Sequence, residues 1–174
     1  MTKVFHIDKN KCSGCKACLN ACKDISNLDA GTDFRKINSS VEGKFPNLKV
    51  SFSSISCNNC KNAPCVESCP TGAMNRKNKY KLVLVDEEKC IGCGVCQNVC
   101  PYEQPKIDEK KKKSTKCNFC IELLKEGKNP RCVDVCNTRA LDFGEKEDLL
   151  KKYQQSKFLD GEAKPNLLVT EKER

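Results

Sequence analysis

The residues of this chain that could do chemistry are its 16 cysteines, and their spacing points to iron–sulfur ligation. They fall into four groups of four: Cys12, Cys15, Cys18 and Cys22; Cys57, Cys60, Cys65 and Cys69; Cys90, Cys93, Cys96 and Cys100; Cys117, Cys120, Cys132 and Cys136. Groups one and three read C-x2-C-x2-C-x3-C, the spacing that holds [4Fe–4S] clusters in bacterial ferredoxins. In such a loop three thiolates come from one tight turn and grip three corners of a cubane. The fourth cysteine lies in the following helix and points toward another cube, so quartets must pair in space. Groups two and four keep the opening C-x2-C and the closing C-x3-C and stretch only the middle gap. The spacing predicts four [4Fe–4S] clusters with all these cysteines as metal ligands. Four clusters in one small chain predict a path for electrons.

Rival chemistries fit less well. Zinc also takes four cysteines, but its ribbons and fingers use paired C-x2-C units with longer spacers. Two groups here carry cysteines at i, i+3 and i+6. A disulfide framework suits secreted chains, yet residues 1–7 (MTKVFHI) lead straight into Asp8-Lys9-Asn10-Lys11 without the apolar run of a signal peptide. His6, the one histidine, reads as a surface or strand-packing residue rather than a ligand. No nucleophile–base pair, paired catalytic carboxylates or phosphate loop appears, so the chain reads as a non-catalytic electron carrier. Gly14, Gly92 and Gly94 suit the close backbone approach of cluster loops, where amide N–H groups tune the potential. Pro70 and Pro101 close groups two and three and turn the chain out of its helix.

Composition agrees. Hydrophobic residues are 38% of 174, cysteines included, and there is no Trp. Ordinary apolar residues are thus under a third of the chain, thin material for a conventional core. The clusters would tie segments together, as structural metals do. The formal net charge of +9 counts cysteines as neutral. Each thiolate-ligated oxidised cubane carries about −2, so four would leave the chain near +1. Much of the basicity offsets cluster charge. Lys110-Lys111-Lys112-Lys113 is the one dense basic patch; it follows Asp108-Glu109 in a turn and reads as a solvated loop. No aromatic residue interleaves with it, so nucleic-acid stacking has no support. No stretch of about 18 apolar residues occurs, which excludes direct membrane insertion by a helix.

The elements that must position the cysteines form an internal repeat, each quartet at a loop-to-helix junction with strand-like sequence beside it. Phe5-His6-Ile7 reads as a strand before group one, and residues 16–24 as the helix after it. Residues 48–55 (LKVSFSSI) alternate as a strand leading into group two. Leu82-Val83-Leu84-Val85 reads as a strand before group three, and residues 93–100 as a short helix. Arg139-Ala140-Leu141-Asp142-Phe143 reads as a closing strand with Gly144 as its stop. Residues 145–155 (EKEDLLKKYQQ) then form an amphipathic helix with Leu149, Leu150 and Tyr153 on one side. The end is polar apart from Leu167-Leu168-Val169. The fold class is α+β: two interleaved bacterial-type 2[4Fe–4S] ferredoxin-like modules of short strands and short helices. Module A takes residues 1–30 and 110–150, module B residues 47–109. Residues 31–46 form a surface insertion, and 145–174 a C-terminal helix and docking tail.

The sequence resembles a known family. The stretches HIDKNKCSGCKACLNACKD, SISCNNCKNAPCVESCPTGAM, VDEEKCIGCGVCQNVCPY and TKCNFCIELLKEGKNPRCVDVCNTRALDFG are similar to the four-cluster iron–sulfur subunits of molybdopterin oxidoreductases, the dimethyl sulfoxide reductase type most of all. The similarity covers about residues 4–150, with an echo at Lys164-Pro165-Asn166, and includes the middle gaps of groups two and four. It implies the ligand sets Cys12, Cys15, Cys18 and Cys136 for cluster 1, and Cys57, Cys60, Cys65 and Cys100 for cluster 2. It likewise implies Cys90, Cys93, Cys96 and Cys69 for cluster 3, and Cys117, Cys120, Cys132 and Cys22 for cluster 4. Asn137 stands where relatives have proline, the insertion before group two is shorter, and the sequence ends earlier than in typical members.

The resemblance implies an electron-transfer subunit of anaerobic respiration, relaying electrons between a donor and a molybdenum- or tungsten-pterin catalytic subunit. A membrane-anchor or hydrogenase subunit would complete such a complex, placed in the cytoplasm or peripherally at the membrane through its partners. The alternatives are a linker subunit in a soluble formate dehydrogenase–hydrogenase complex and, in a different class, a free diffusible polyferredoxin. The basic net charge and the helix after Glu145 speak against the diffusible carrier.

Overall fold

The structure is a computed structural model that describes residues 2–172. In sequence order it runs β1 (Lys3–Asp8), α1 (Ala17–Ile25), β2 (Lys36–Glu42), β3 (Lys49–Ile55), α2 (Pro64–Glu67), β4 (Met74–Asn75), β5 (Leu84–Val85) and α3 (Val95–Asn98). It continues with β6 (Lys106–Asp108), β7 (Lys113–Thr115), α4 (Ile121–Lys125), α5 (Arg131–Asp134), β8 (Leu141–Glu145), α6 (Lys146–Lys152), β9 (Lys157–Phe158) and β10 (Leu167–Thr170). Short helices and strands mix as an α+β fold.

The main sheet has the order β8-β1-β10-β9, with β1 parallel to β10 and antiparallel to β8. Strand β1 is buried on both faces. Phe5 and Ile7 point into the larger core, while Val4 packs with Leu149 of α6 and Leu168 of β10. Three antiparallel hairpins, β2–β3, β4–β5 and β6–β7, lie outside this sheet. Helix α1 packs on α5, and α2 packs on α3.

The apolar centre is small, as the composition requires. Phe5 packs against Phe143 and Phe119, with ring centroids 4.7 and 5.7 Å apart. Around these rings the same core contains Cys18, Cys22, Cys57, Cys117, Cys132 and Cys136. A second core joins Ala63, Met74 and Val83 to Cys65 and Cys96.

Several sequence expectations need correction. Leu167-Leu168-Val169 do not lie in a free docking tail: they are β10, buried beside β1, because an apolar triplet after a polar stretch finds its partner about 160 residues away. Gly144 does not stop β8; it pairs with Val4 inside the strand and lies beside Leu149. Leu150 is exposed, so the buried face of α6 rests on Leu149 while Tyr153, at its end, stacks on His6. Leu82 and Val83 are fully buried yet precede the short strand β5. The segment 31–46 is exposed at Gly31 and beyond Ile37; Phe34 and Arg35 at its base are buried in the core. The lysine run needs no correction: it forms the exposed β6–β7 turn, where Lys110, Lys111 and Lys112 pair with Asp29, Glu87 and Glu109. Such exposed pairs contribute little.

Candidate iron–sulfur sites

Each quartet opens with the same backbone turn. The residue just before the second cysteine is left-handed in all four: Gly14 at φ 72°, Asn59 at 45°, Gly92 at 70° and Phe119 at 60°. This conformation folds C-x2-C into a tight loop, and only glycine adopts it freely. Asn59 tolerates it while its carboxamide accepts from Val83 N–H (2.9 Å) and donates to the Lys81 carbonyl (3.3 Å). Phe119 is held there by Phe5 and Phe143.

The third cysteine is the second residue of a helix in every group: Cys18 in α1, Cys65 in α2, Cys96 in α3 and Cys132 in α5. It therefore sits among the unpaired N–H groups of a first turn, which favour negative charge. Groups two and four share a closing device as well. The N–H of Met74 donates to Cys69 Sγ at 3.4 Å, and that of Ala140 to Cys136 Sγ at 3.2 Å. Both segments reverse three residues after the cysteine, at Gly72 and Arg139 with φ 65° and 53°.

The loops bring the cysteines together across groups. Cys12, Cys15 and Cys18 line one cavity with Cys136. Cys57, Cys60 and Cys65 line a second with Cys100, and Cys90, Cys93 and Cys96 a third with Cys69. The three cavities are alike in size, about 20 Å³ each, as one kind of occupant would require. The remaining cysteines form a fourth set in which Cys117, Cys132 and Cys120 face Cys22. No group of three or more His, Cys, Asp or Glu side chains among the described residues is placed to hold a single metal ion. Sulfurs spread around a cavity suit the separate corners of a cubane better than the centre of a zinc tetrahedron.

Burial, reinforced by neighbouring thiols, pushes Cys22 and Cys60 up to about 12 and Cys65 and Cys132 up to about 11. Bare thiols there keep their protons at neutral pH, so thiolate ligation needs the positive charge of iron and releases those protons. The donor set fits an iron–sulfur cluster: soft sulfur in fours, with N–H and hydroxyl groups aimed at it.

The 4Fe-4S dicluster domain family matches residues 48–146, spanning groups two to four, and a 4Fe-4S binding domain matches residues 9–27, spanning group one. The B subunit of the anaerobic dimethyl sulfoxide reductase of Haemophilus influenzae is 42% identical over 158 residues, 86% of the present sequence and 77% of that one. This protein belongs to that iron–sulfur subunit family. The corresponding Escherichia coli B subunit is 42% identical over 157 residues, covering 86% of the present sequence and 76% of its own length. Protein NrfC of E. coli is 40% identical over 143 residues, 81% of the present sequence and 64% of its own. The protein is thus a member of a family of 4Fe-4S electron-transfer subunits. No helix among the described residues is long and apolar enough to cross a membrane.

Within that family frame, the structure adds polar groups that the cysteine pattern did not reveal. Ser54 of β3 places its hydroxyl 3.2 Å from Cys18 Sγ, and Ser114 of β7 does the same for Cys96. Ser114 also donates its N–H to Cys90 Sγ at 3.2 Å. The two hairpins thus each cap a full-signature loop. The signal was faint, a serine within alternating strand sequence. Arg35 and Lys116 are buried beside the cysteines, and no sequence rule places a lone basic residue in a core. Asn137, which replaces the expected proline, sets its carboxamide oxygen 3.8 Å from Cys15 Sγ. His6 is buried in β1 with Nε2 2.8 Å from Thr170 Oγ1, far from any ligand role.

Proposed function

We propose that the protein carries four [4Fe–4S] clusters and relays electrons between a donor and a molybdopterin catalytic subunit, contributing no substrate chemistry of its own. The observation that carries this reading is the fourfold recurrence of one loop-and-helix device around sixteen cysteines, three quartets around like cavities and one gathered around Cys22. We assign Cys12, Cys15, Cys18 and Cys136 to site 1; Cys57, Cys60, Cys65 and Cys100 to site 2; Cys90, Cys93, Cys96 and Cys69 to site 3; and Cys117, Cys120, Cys132 and Cys22 to site 4. The packing of α1 on α5 and of α2 on α3 supports two interleaved ferredoxin-like modules, one holding sites 1 and 4, the other sites 2 and 3.

Adjacency supports a linear order. Cys132 of site 4 faces Cys18 of site 1. Lys116, next to Cys117 of site 4, donates to Cys57 Sγ of site 2 at 3.4 Å. Cys65 of site 2 faces Cys96 of site 3. The order is therefore 1, 4, 2, 3. The end sites are the open ones: Cys15 and Cys93 are exposed, whereas no cysteine of sites 2 or 4 is. When bound, each cluster would accept and pass one electron. The protein's own residues hold it, shield it from water and set its potential through N–H and hydroxyl groups on sulfur.

The relatives named as dimethyl sulfoxide reductase subunits make a molybdopterin enzyme of that type the partner we propose, with peripheral membrane attachment through a further subunit. Two measurements test the reading. Anaerobically purified protein should contain about 16 iron atoms per molecule; a value near 8 or 12, or stoichiometric zinc, would show that a quartet is misassigned. Purification from its own host should yield a large pterin-containing polypeptide at fixed stoichiometry. A monodisperse single polypeptide would instead make it a diffusible polyferredoxin.

A further inference from the structure

Two basic side chains lie in the interior, each at a junction between cysteine quartets. Arg35 is 1% exposed and its guanidinium is faced by Cys132, Cys117 and Cys22 of site 4 and by Cys18 of site 1. Nη1 donates to Ser54 Oγ at 3.0 Å, and that hydroxyl lies 3.2 Å from Cys18 Sγ. Nη2 donates to Ser56 Oγ at 3.0 Å, and the guanidinium carbon lies 4.8 Å from the centre of the Phe5 ring. Nε is buried with no hydrogen-bond partner. The four cysteine sulfurs that face this arginine would carry negative charge once they ligate a cluster.

Lys116 repeats the arrangement one junction further. It is 5% exposed and donates from Nζ to Cys57 Sγ of site 2 at 3.4 Å and to the Cys117 carbonyl at 2.9 Å, above the Phe119 ring. It also faces Cys65. An isolated charge in a protein interior is strongly unfavourable unless paired. Here both are placed where ligated clusters would bring negative charge, and that charge grows by one on reduction. A fixed cation stabilises the more negative state and so raises the potential of the clusters on either side.

We propose that Arg35 and Lys116 are potential-setting residues, Arg35 shared by sites 1 and 4 and Lys116 by sites 4 and 2. Site 3 has neither. The inference rests on the four-site assignment above, and it makes the relay uneven: site 4, between both cations, gains most. Removing one cation should lower two potentials of four, and the two deletions should have one affected site in common.

The test is an EPR-monitored redox titration of anaerobically purified, iron-replete protein, comparing Arg35→Gln and Lys116→Gln with the charge-keeping Arg35→Lys and Lys116→Arg. Each Gln variant should shift two signals toward lower potential by at least a tenfold change in the reduction equilibrium, 59 mV for one electron. The other two should hold, one signal should move in both variants, and the charge-keeping variants should keep most of the parent potentials. Unchanged potentials, equal movement of all four, or a shift in Arg35→Lys as large as in Arg35→Gln would overturn the proposal. Where a Gln variant loses iron, retention in its charge-keeping partner supports an electrostatic role. Loss in both variants overturns it in favour of packing. Parent protein with fewer than four clusters would instead refute the four-site reading, whatever the potentials do.

Discussion

Replacing Gly92 by alanine should dismantle one cluster site while leaving the rest of the protein standing. A Cβ at residue 92 would stand 2.2 Å from the Lys112 carbonyl oxygen, at a φ of 70°. Ordinary carbon–oxygen contacts begin near about 3.3 Å, so the β6–β7 turn would have to retreat by about 1 Å. Ser114, two residues further on, supplies the N–H to Cys90 Sγ and the hydroxyl beside Cys96 Sγ, both at 3.2 Å. Hydrogen bonds to charged groups contribute about 1.5–3 kcal/mol each, so losing both costs about 3–6 kcal/mol. The left-handed backbone adds about 1–2 kcal/mol for a residue with a Cβ. The total, about 4–8 kcal/mol, falls on the β6–β7 turn and the site 3 loop it supports, so yielding locally there relieves it.

Gly94 is the matched control. Its φ is 75°, and a Cβ there would meet nothing within 4 Å. Alanine at 94 therefore carries only the backbone cost of about 1–2 kcal/mol. Gly14 falls between them, because its Cβ would meet the Phe52 ring at 2.7 Å, a side chain that can swing aside. Iron content, EPR of the reduced protein and thermal unfolding of the three variants give the ranking. Gly92→Ala should lose about one cubane's iron, Gly94→Ala none. Equal losses in these two would refute the idea that the β6–β7 hairpin holds site 3 in shape.

Changing Cys22 to Ser should perturb the signal of site 4 and leave site 1 intact, although Cys22 lies in the first quartet; loss of the site 1 signal would mean that ligands are not exchanged between groups. Iron-free protein should show no cooperative thermal transition, because the cysteines occupy core positions beside so few apolar side chains; a melting curve like that of the holoprotein would contradict this. His6 is lowered to about 4, chiefly by burial and against the pull of Asp8 and Asp142. A histidine depressed in the fold stabilises fully above its unfolded pKa of 6.5 and loses that contribution as pH falls toward 4. The loss amounts to about 3 kcal/mol. Denaturation midpoints of holoprotein between pH 7 and 4 should fall more steeply for the parent than for His6→Gln, and parallel curves would exclude this role.

What the sequence made legible was the chemistry and its immediate supports. Ligand spacing depends on a few consecutive residues, so the cysteines, a short helix in each quartet and the strands at Phe5 and residues 49–55 could be read locally, although the helices of groups two, three and four end before the fourth cysteine that was expected within them. What escaped depended on distant partners. Leu167-Leu168-Val169 resembles a tail until β1 is beside it, and Gly144 resembles a stop until Val4 and Leu149 fill its two sides. Arg35 escaped for a different reason. Arginine is ordinarily a surface residue, and its burial makes sense only once two sets of thiolates converge around it, a fact of topology rather than of spacing.

The left-handed residue of each C-x2-C loop shows how far one backbone requirement can be met by different side chains. At Gly14 and Gly92 the missing Cβ meets it directly. At Asn59 two hydrogen bonds to residues 81 and 83 hold the backbone in place, and these also anchor the segment leading into β5. At Phe119 the strain of about 1–2 kcal/mol falls on a ring whose burial is worth about 1.5–3 kcal/mol. That ring links β1, β8 and the Lys116 ammonium. Group four thus uses its loop residue as core, and this agrees with the burial of Cys117, Cys132 and Cys136 in that same core. The quartet with the least regular spacing is the one most deeply built into the protein, and both buried cations border it. Spacing alone ranks it the weakest of the four cluster signatures; in the proposed relay, packing and charge make it one of the two inner sites.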